Sequence, residues 1–386
     1  MNVQNKTYEP IKGEYDIKVY DKLTQNEVHK ERLEISADAR TTAVKQFTFP
    51  NPGRNSIYTV EVNESVWTES APDSKKTRTI YSECSVAMLA EEGEHSPYFG
   101  NMSSVVQHGK GVPSETYKLM RQGGMTWGRE DYSWSKIETT KGQLILPEDV
   151  KSAWRQMKED GIQLIYVCLG TNPLYEGGKT PSSDEAIAAY ANYCAFMARE
   201  LKGITDYFEI WNEWNIVNFN PSNEPPETYA KLCKAAYTAI KKENPNAKVI
   251  GVSTALIDIN WTRRVFEAGA YDYMDMVSIH PYDFSGKFRE EKFIKDGIDL
   301  INLMKEYGEV KPICYSELGF STMDGPSDVF PDYDGYSQSQ QSAAKILSNV
   351  LIRAYEIADI LIEYEFYDRG DQTDIEQCWG LLYSYR

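Results

Sequence analysis

Two stretches of this 386-residue chain close an apolar run with a carboxylate. One is Phe208-Glu209-Ile210-Trp211-Asn212-Glu213-Trp214-Asn215, the other Pro312-Ile313-Cys314-Tyr315-Ser316-Glu317-Leu318-Gly319. Each reads as a buried β-strand that turns polar at its C-terminal end. Glu213 and Glu317 stand 104 positions apart, a distance that three strand–helix units of roughly 35 residues span. In an eight-stranded barrel they fall at the ends of strands four and seven, which face each other across the mouth. Two facing carboxylates are the minimum equipment for cleaving a glycosidic bond. One, protonated, gives its proton to the leaving oxygen, and the other, ionised, attacks the carbon. Burial and the partner's charge raise the pKa of the acid, and that charge vanishes once the nucleophile is esterified. Glu213 and Glu317 are thus together the candidate acid/base and nucleophile pair.

The elements that must position this pair are legible as alternating strands and helices. Candidate strands are Tyr98–Ser103, Met125–Glu130, Ile162–Leu169, Tyr207–Trp211, Lys248–Val252, Met274–Ile279, Pro312–Ser316 and Ile360–Phe366. Amphipathic stretches lie between them at Pro147–Asp160, Asp184–Lys202, Pro226–Lys242, Glu290–Tyr307 and Ser337–Ile357. Eight strands with intervening helices predict an α/β fold, a (β/α)8 TIM barrel over residues 91–386. No glycine-rich phosphate turn follows the first strand, which disfavours a doubly wound sheet, and no eighth helix is evident after Trp379-Gly380-Leu381-Leu382. Residues 1–90 read differently. Tyr15–Tyr20, Val44–Phe49 and Tyr58–Val62 alternate with period two, and turn residues such as Pro50-Asn51-Pro52-Gly53 separate them. This predicts a small antiparallel β-sandwich, joined to the barrel by a polar connection over residues 71–96.

A net charge of −17 repels phosphate backbones and anionic lipid, so neither nucleic acid nor a membrane is an expected partner. It suits a neutral carbohydrate, and the 27 tyrosines and 8 tryptophans include enough flat faces to bind one. The six cysteines are scattered without a CxxC pair and read as buried thiols; the four histidines are isolated, so no metal and no cofactor is expected. The N-terminus MNVQNKTYEP has no apolar signal core. The compartment is therefore cytoplasmic, or secreted or periplasmic if a signal was removed. The oligomeric state is not legible.

Asn212-Glu213 and Glu317 together resemble the clan A glycoside hydrolases, whose strand four ends in Asn-Glu and strand seven in Glu. The run Gly124-Met125-Thr126-Trp127-Gly128-Arg129-Glu130-Asp131-Tyr132-Ser133-Trp134-Ser135-Lys136-Ile137-Glu138, completed by Lys141-Gly142, is similar to the strand-two signature of family 39 and its relatives, with family 5-like enzymes an alternative. His280-Pro281-Tyr282 fits the clan as well. The resemblance implies a retaining hydrolase of β-glycosidic bonds in polysaccharides or oligosaccharides, working by double displacement with Glu213 as acid/base and Glu317 as nucleophile. It implies that Asn212 bonds the sugar 2-hydroxyl, that Arg129 keeps Glu317 ionised, and that Tyr282 donates to Glu317. His280 would contact substrate or orient Glu317, and Trp211, Trp214 and Trp127 are candidate sugar platforms. Strand eight departs from the clan: Glu363-Tyr364-Glu365-Phe366-Tyr367-Asp368 contains no inward Trp, although Trp379 follows, and Glu363 or Glu365 is a candidate for hydroxyl recognition. The loops Asn172–Ser183, Asn215–Pro226 and Gly319–Gly335 either close one end of the cleft or frame an open groove. The alternative is a non-catalytic carbohydrate-binding protein on a disused barrel. A metal-dependent hydrolase or an aldolase would need clustered His and Asp or a buried Lys, and neither pattern is visible.

Overall fold

The computed structural model describes residues 2–21, 26–49, 56–86, 98–102, 112–283, 289–323, 340–369 and 377–381. Two compact units divide the chain, Met1–Leu89 and Ala90–Arg386.

In the first unit β1 (Asn2–Gln4) pairs antiparallel with β4 (Thr42–Val44). A second antiparallel sheet has the order β3-β2-β5-β6, formed by β2 (Ile11–Asp21), β3 (Glu27–Ala37), β5 (Ser56–Thr68) and β6 (Lys76–Val86). Every second residue of β2 is buried, so Tyr15, Ile17 and Val19 pack with Leu33, Ile35, Tyr58, Val60 and Val62. Val3 and Ala43 of the two-stranded ribbon close over this core. The expected sandwich is present, with two corrections. The alternating run Val44–Phe49 is strand only to Val44; Phe47 and Phe49 are partly buried against the core without strand pairing. The charged stretch read as a connection holds β6, an edge strand whose residues 76–82 are exposed on both faces and so lack an apolar period.

The second unit is a closed parallel barrel in chain order, as expected: β7 (Phe99–Met102), β8 (Trp127–Asp131), β9 (Gln163–Cys168), β10 (Tyr207–Ile210), β11 (Lys248–Ala255), β12 (Met276–His280), β13 (Ile313–Leu318) and β14 (Ile360–Glu363). Around it lie α1 (Pro113–Gln122), the short α2 (Trp134–Ile137), α3 (Glu148–Glu159), α4 (Asp184–Glu200), α5 (Pro226–Glu243), α6 (Ile259–Glu267), α7 (Glu290–Lys305) and α8 (Gln340–Ala354). Their starts follow local chemistry. Ser183 caps α4 through the amide of Ala186, Asp258 caps α6 through that of Trp261, and α1 and α5 open with proline, whose missing N–H is no loss there. All eight expected strands and all five expected helices are found, and α1, α2 and α6 are additions.

Inward positions along the strands recur with period two. At the N-terminal side the barrel is filled by Trp127, Ile165, Ile250, Met276, Cys314 and Ile360. One step further along the same strands the inward positions turn polar: Arg129, Glu209, Ser278 and Ser316 are all buried. The next step is the C-terminal mouth, where barrel enzymes carry their sites. At Gly319, just past β13, an added Cβ would stand 1.9 Å from the carbonyl oxygen of Tyr364, so only glycine lets this chain pass the end of β14. The loop around Asp324–Asp334 lies outside the described residues.

Candidate active site

Both glutamates reach the mouth through irregular backbone. By simple alternation Cys314 and Ser316 face inward and Glu317 should face the helices. The pairing of β13 with β14 shifts register between Tyr315 and Leu318, and Glu317 turns into the barrel. Glu213 lies three residues beyond β10, where Trp211 (φ 67°) and Glu213 (φ 45°) adopt left-handed backbone. The neighbouring β11 is bulged at Val252 (φ 82°) and Ser253 (φ 47°), and the amide of Glu213 donates to the carbonyl of Ser253 at 2.7 Å. Non-glycine residues rarely hold such dihedrals, and they concentrate where function over-determines the backbone.

The two carboxylates converge. An oxygen of Glu213, an oxygen of Glu317 and a ring nitrogen of His280 all lie within 4.8 Å of one another. Glu317 accepts from Arg129 Nη1 at 2.9 Å on one oxygen and from the Tyr282 hydroxyl at 2.8 Å on the other. Glu213 Oε1 lies 2.8 Å from His280 Nδ1, and His280 Nε2 lies 3.1 Å from Ser316 Oγ. The hydrogen-bonding surroundings of the two acids thus differ: a fixed cation and a phenol on Glu317, an imidazole on Glu213.

Arg129 is the hub. It is 2% exposed, and its Nε donates to Glu209 at 2.6 Å and its Nη2 to Asn212 Oδ1 at 2.7 Å. Burial alone would favour the neutral guanidine, but Glu209 and Glu317 hold it charged. Burial likewise opposes ionisation of Glu209; the charges of Arg129 and His280, with the nearby Ser316 and Ser278 hydroxyls, outweigh it and keep this carboxyl below its ordinary pKa. Burial and the negative charge of Glu317 push the Tyr282 phenol well above its ordinary value, so it remains a donor. Arg129, Asp131, Asn212, Glu317, Phe219 and Tyr364 are among the residues lining a small pocket.

His280 is fully buried and touches Glu213 more closely than Glu317, from which it is 3.9 Å away, so its nearest carboxylate is that of the acid/base candidate. Trp211 and Trp214 are each 1% exposed, pack edge-on against each other, and donate their indole N–H groups to the carbonyls of Phe219 and Glu224. They anchor the loop behind the site. Trp127 starts β8 and packs on Tyr207, which starts β10, so it plugs the N-terminal end of the barrel, away from the mouth. On strand eight the inward residue is Tyr364, backed by Trp379, whose ring lies 6.0 Å from that of Tyr364 and 5.6 Å from that of Tyr282. Glu363 instead accepts from Asn101, and burial raises its pKa well above normal; Glu365 pairs with Arg369 at 2.7 Å.

Several residues of the site were missed in the sequence. Glu209 was visible as a charge inside an apolar strand, and Asp131 as a second polar residue on the inward parity of Arg129. The remainder of the strand-two signature is a brace: Glu138 accepts from the Trp134 indole (2.7 Å), the Gly142 amide (2.6 Å) and the Tyr175 hydroxyl (2.6 Å), which ties the loop after β8 to the loop after β9. Glu213, His280 and Glu317 have donor atoms of the kind that surround small cations. A cation there would sit beside the Arg129 guanidinium, which already bonds Glu317 at 2.9 Å, so the donor set fits a proton-handling site better.

No protein-family model matches the chain, and no curated protein matches it. Solved structures do. A family 39 glycoside hydrolase from the gut symbiont Bacteroides cellulosilyticus WH2 is similar over 99% of this chain and 75% of that one, at 20% identity and a TM-score of 0.72. A monomeric β-xylosidase from Caulobacter crescentus CB15 is similar over 77% and 66% of the two chains (15% identity, TM-score 0.54). An exo-β-1,4-mannosidase from Opitutaceae bacterium strain TAV5 is similar over 75% and 55% (15% identity, TM-score 0.52). At these identities the likeness is one of fold.

Proposed function

We propose that the chain is a retaining glycoside hydrolase of β-glycosidic bonds, with Glu317 as nucleophile and Glu213 as acid/base. The observation that carries this reading is the pair of carboxylates with oxygens within 4.8 Å at the barrel mouth. Retaining enzymes hold the two groups about 5–5.5 Å apart, whereas inverting ones leave about 6.5–9.5 Å for a water. Glu317, facing Arg129 and Tyr282, is suited to attack the anomeric carbon while Glu213 protonates the leaving oxygen. The bond from Glu317 to the sugar forms as the bond to the leaving oxygen breaks. In the second half Glu213 takes a proton from water, which hydrolyses the ester and frees Glu317. Asn212, its Oδ1 held by Arg129, has its NH2 left to donate to a sugar hydroxyl. The structurally similar proteins include a family 39 glycoside hydrolase, a β-xylosidase and an exo-β-1,4-mannosidase, which supports a carbohydrate substrate.

The test is turnover of aryl β-glycosides and polysaccharides, with the anomeric form of the first product followed by NMR. Glu317→Ala should abolish turnover, with azide rescuing it to give an α-glycosyl azide from a β substrate. Near-normal activity of Glu317→Ala would sink the assignment. Sugar binding without turnover on a broad panel would favour the disused-barrel reading.

A further inference from the structure

Asp131 closes β8 at the mouth, two residues after Arg129 on the same inward parity. It is 8% exposed and lines the pocket together with Asn212 and Glu317. Its Oδ1 is buried without a hydrogen-bond partner among the described residues. A buried acceptor left unsatisfied is a standing cost in a fold, and this one belongs to a residue that lines the pocket, where the donor of a ligand can meet it. Burial raises its carboxyl to about pH 6, with Arg129 and Lys136 opposing the rise and Glu317 adding to it. The charge around it also constrains the ligand. Among the described lining residues Arg129 is the cation, and its donors already go to Glu209, Glu317 and Asn212. Asp131 and Glu317 would face the carboxylate of an acidic sugar without a counter-charge.

We propose that Asp131 selects the glycon: its carboxylate accepts a hydrogen bond from one hydroxyl of a neutral sugar in this pocket, and sugar acids are rejected. The proposal rests on the glycosidase reading above. It is tested with 4-nitrophenyl β-glycosides of neutral sugars, their monodeoxy analogues and the corresponding β-glucuronide, using wild type, Asp131→Ala and Asp131→Asn. On the best neutral glycoside Asp131→Ala should lose at least about 100-fold in kcat/KM, as expected when a site built for a hydroxyl loses its partner. Wild type should lose a similar factor on one deoxy sugar, and Asp131→Ala should lose nothing further on that analogue. Wild type should also turn over the glucuronide at least about 100-fold less efficiently than the neutral sugar. Asp131→Asn should melt no lower than wild type at pH 8, separating lost recognition from lost folding. Losses that multiply independently at every deoxy position, or a preference for the glucuronide, overturn the proposal while leaving the glycosidase reading in place. A wild type that cleaves no glycoside overturns both.

Discussion

Replacing Arg129 with methionine tests the electrostatic design of the site in a form that needs no substrate. Glu209 has no exposed surface, and Arg129 Nε is 2.6 Å from its carboxylate. Removing one member of a buried pair strands the other and costs about 3–5 kcal/mol. For a domain of this size that is a fall in Tm on the order of 10 °C. Arg129→Met/Glu209→Gln removes the stranded charge, so the double variant should be more stable than Arg129→Met by about 2 kcal/mol or more, although it carries one more substitution. The pH dependence has a definite sign. In the wild type the Glu209 pKa is depressed, so its contribution is present above its unfolded value of about 4.3 and fades as pH falls through the lower folded value. Without Arg129 burial dominates and the folded pKa rises. Stability in Arg129→Met is then greatest below about pH 4.3 and is lost as pH increases through the new folded value. Denaturant melts of the four proteins from pH 4.5 to 8 measure both effects. The reasoning fails if the double variant is no more stable than Arg129→Met, or if the deficit of the single variant is the same at pH 5 and pH 8.

Asp131→Asn should stabilise the protein only where the wild-type residue is charged. Its folded pKa rises from 3.8 to about 6, so the wild type loses stability as pH climbs through that range, and the asparagine variant gains at most about 3 kcal/mol above pH 6 and nothing at pH 4; an equal gain at both pH values refutes this. Glu213→Ala should slow aryl glycosides with poor leaving groups far more than those with activated ones, seen as a steep dependence of kcat/KM on leaving-group pKa; a flat dependence points to another acid. Overnight treatment with EDTA should leave turnover unchanged, since Arg129 and Tyr282 occupy the oxygens of Glu317; a loss restored by a divalent cation would revive the metal reading. Gly319→Ala should lower Tm and activity together, because its methyl meets the Tyr364 carbonyl at 1.9 Å; an unchanged melt shows that the chain yields there.

The barrel was legible because each parallel strand is buried on both faces and stands out as an apolar run between amphipathic segments. The glutamate pair was legible because a carboxylate at the end of such a run has few structural uses. Direction was not legible. Period-two counting aims Glu317 at the helices, and only the register shift in β13 turns it inward. Tryptophan gives no hint of which way it faces: the side chain that fills a core also makes a sugar platform, and Trp211, Trp214 and Trp127 proved to be packing residues. At the end of strand eight Tyr364 lines the pocket with the Trp379 ring beside it, fifteen positions further along, a contact that no local pattern announces. In the sandwich, β6 escaped notice because an exposed edge strand has no buried face to impress a pattern on its sequence.

The left-handed turn at Trp211 and Glu213, bonded to the bulge at Val252 and Ser253, has a consequence for any attempt to improve this protein. Each such residue stores on the order of 1–3 kcal/mol. Glu213→Gly relaxes that turn, just as Asp131→Asn discharges the neighbouring pocket, and each removes a group that the proposed chemistry uses. A library ranked on heat resistance alone would therefore climb towards inert proteins, and the positions where robustness rises as turnover falls would outline the site without a substrate ever being named.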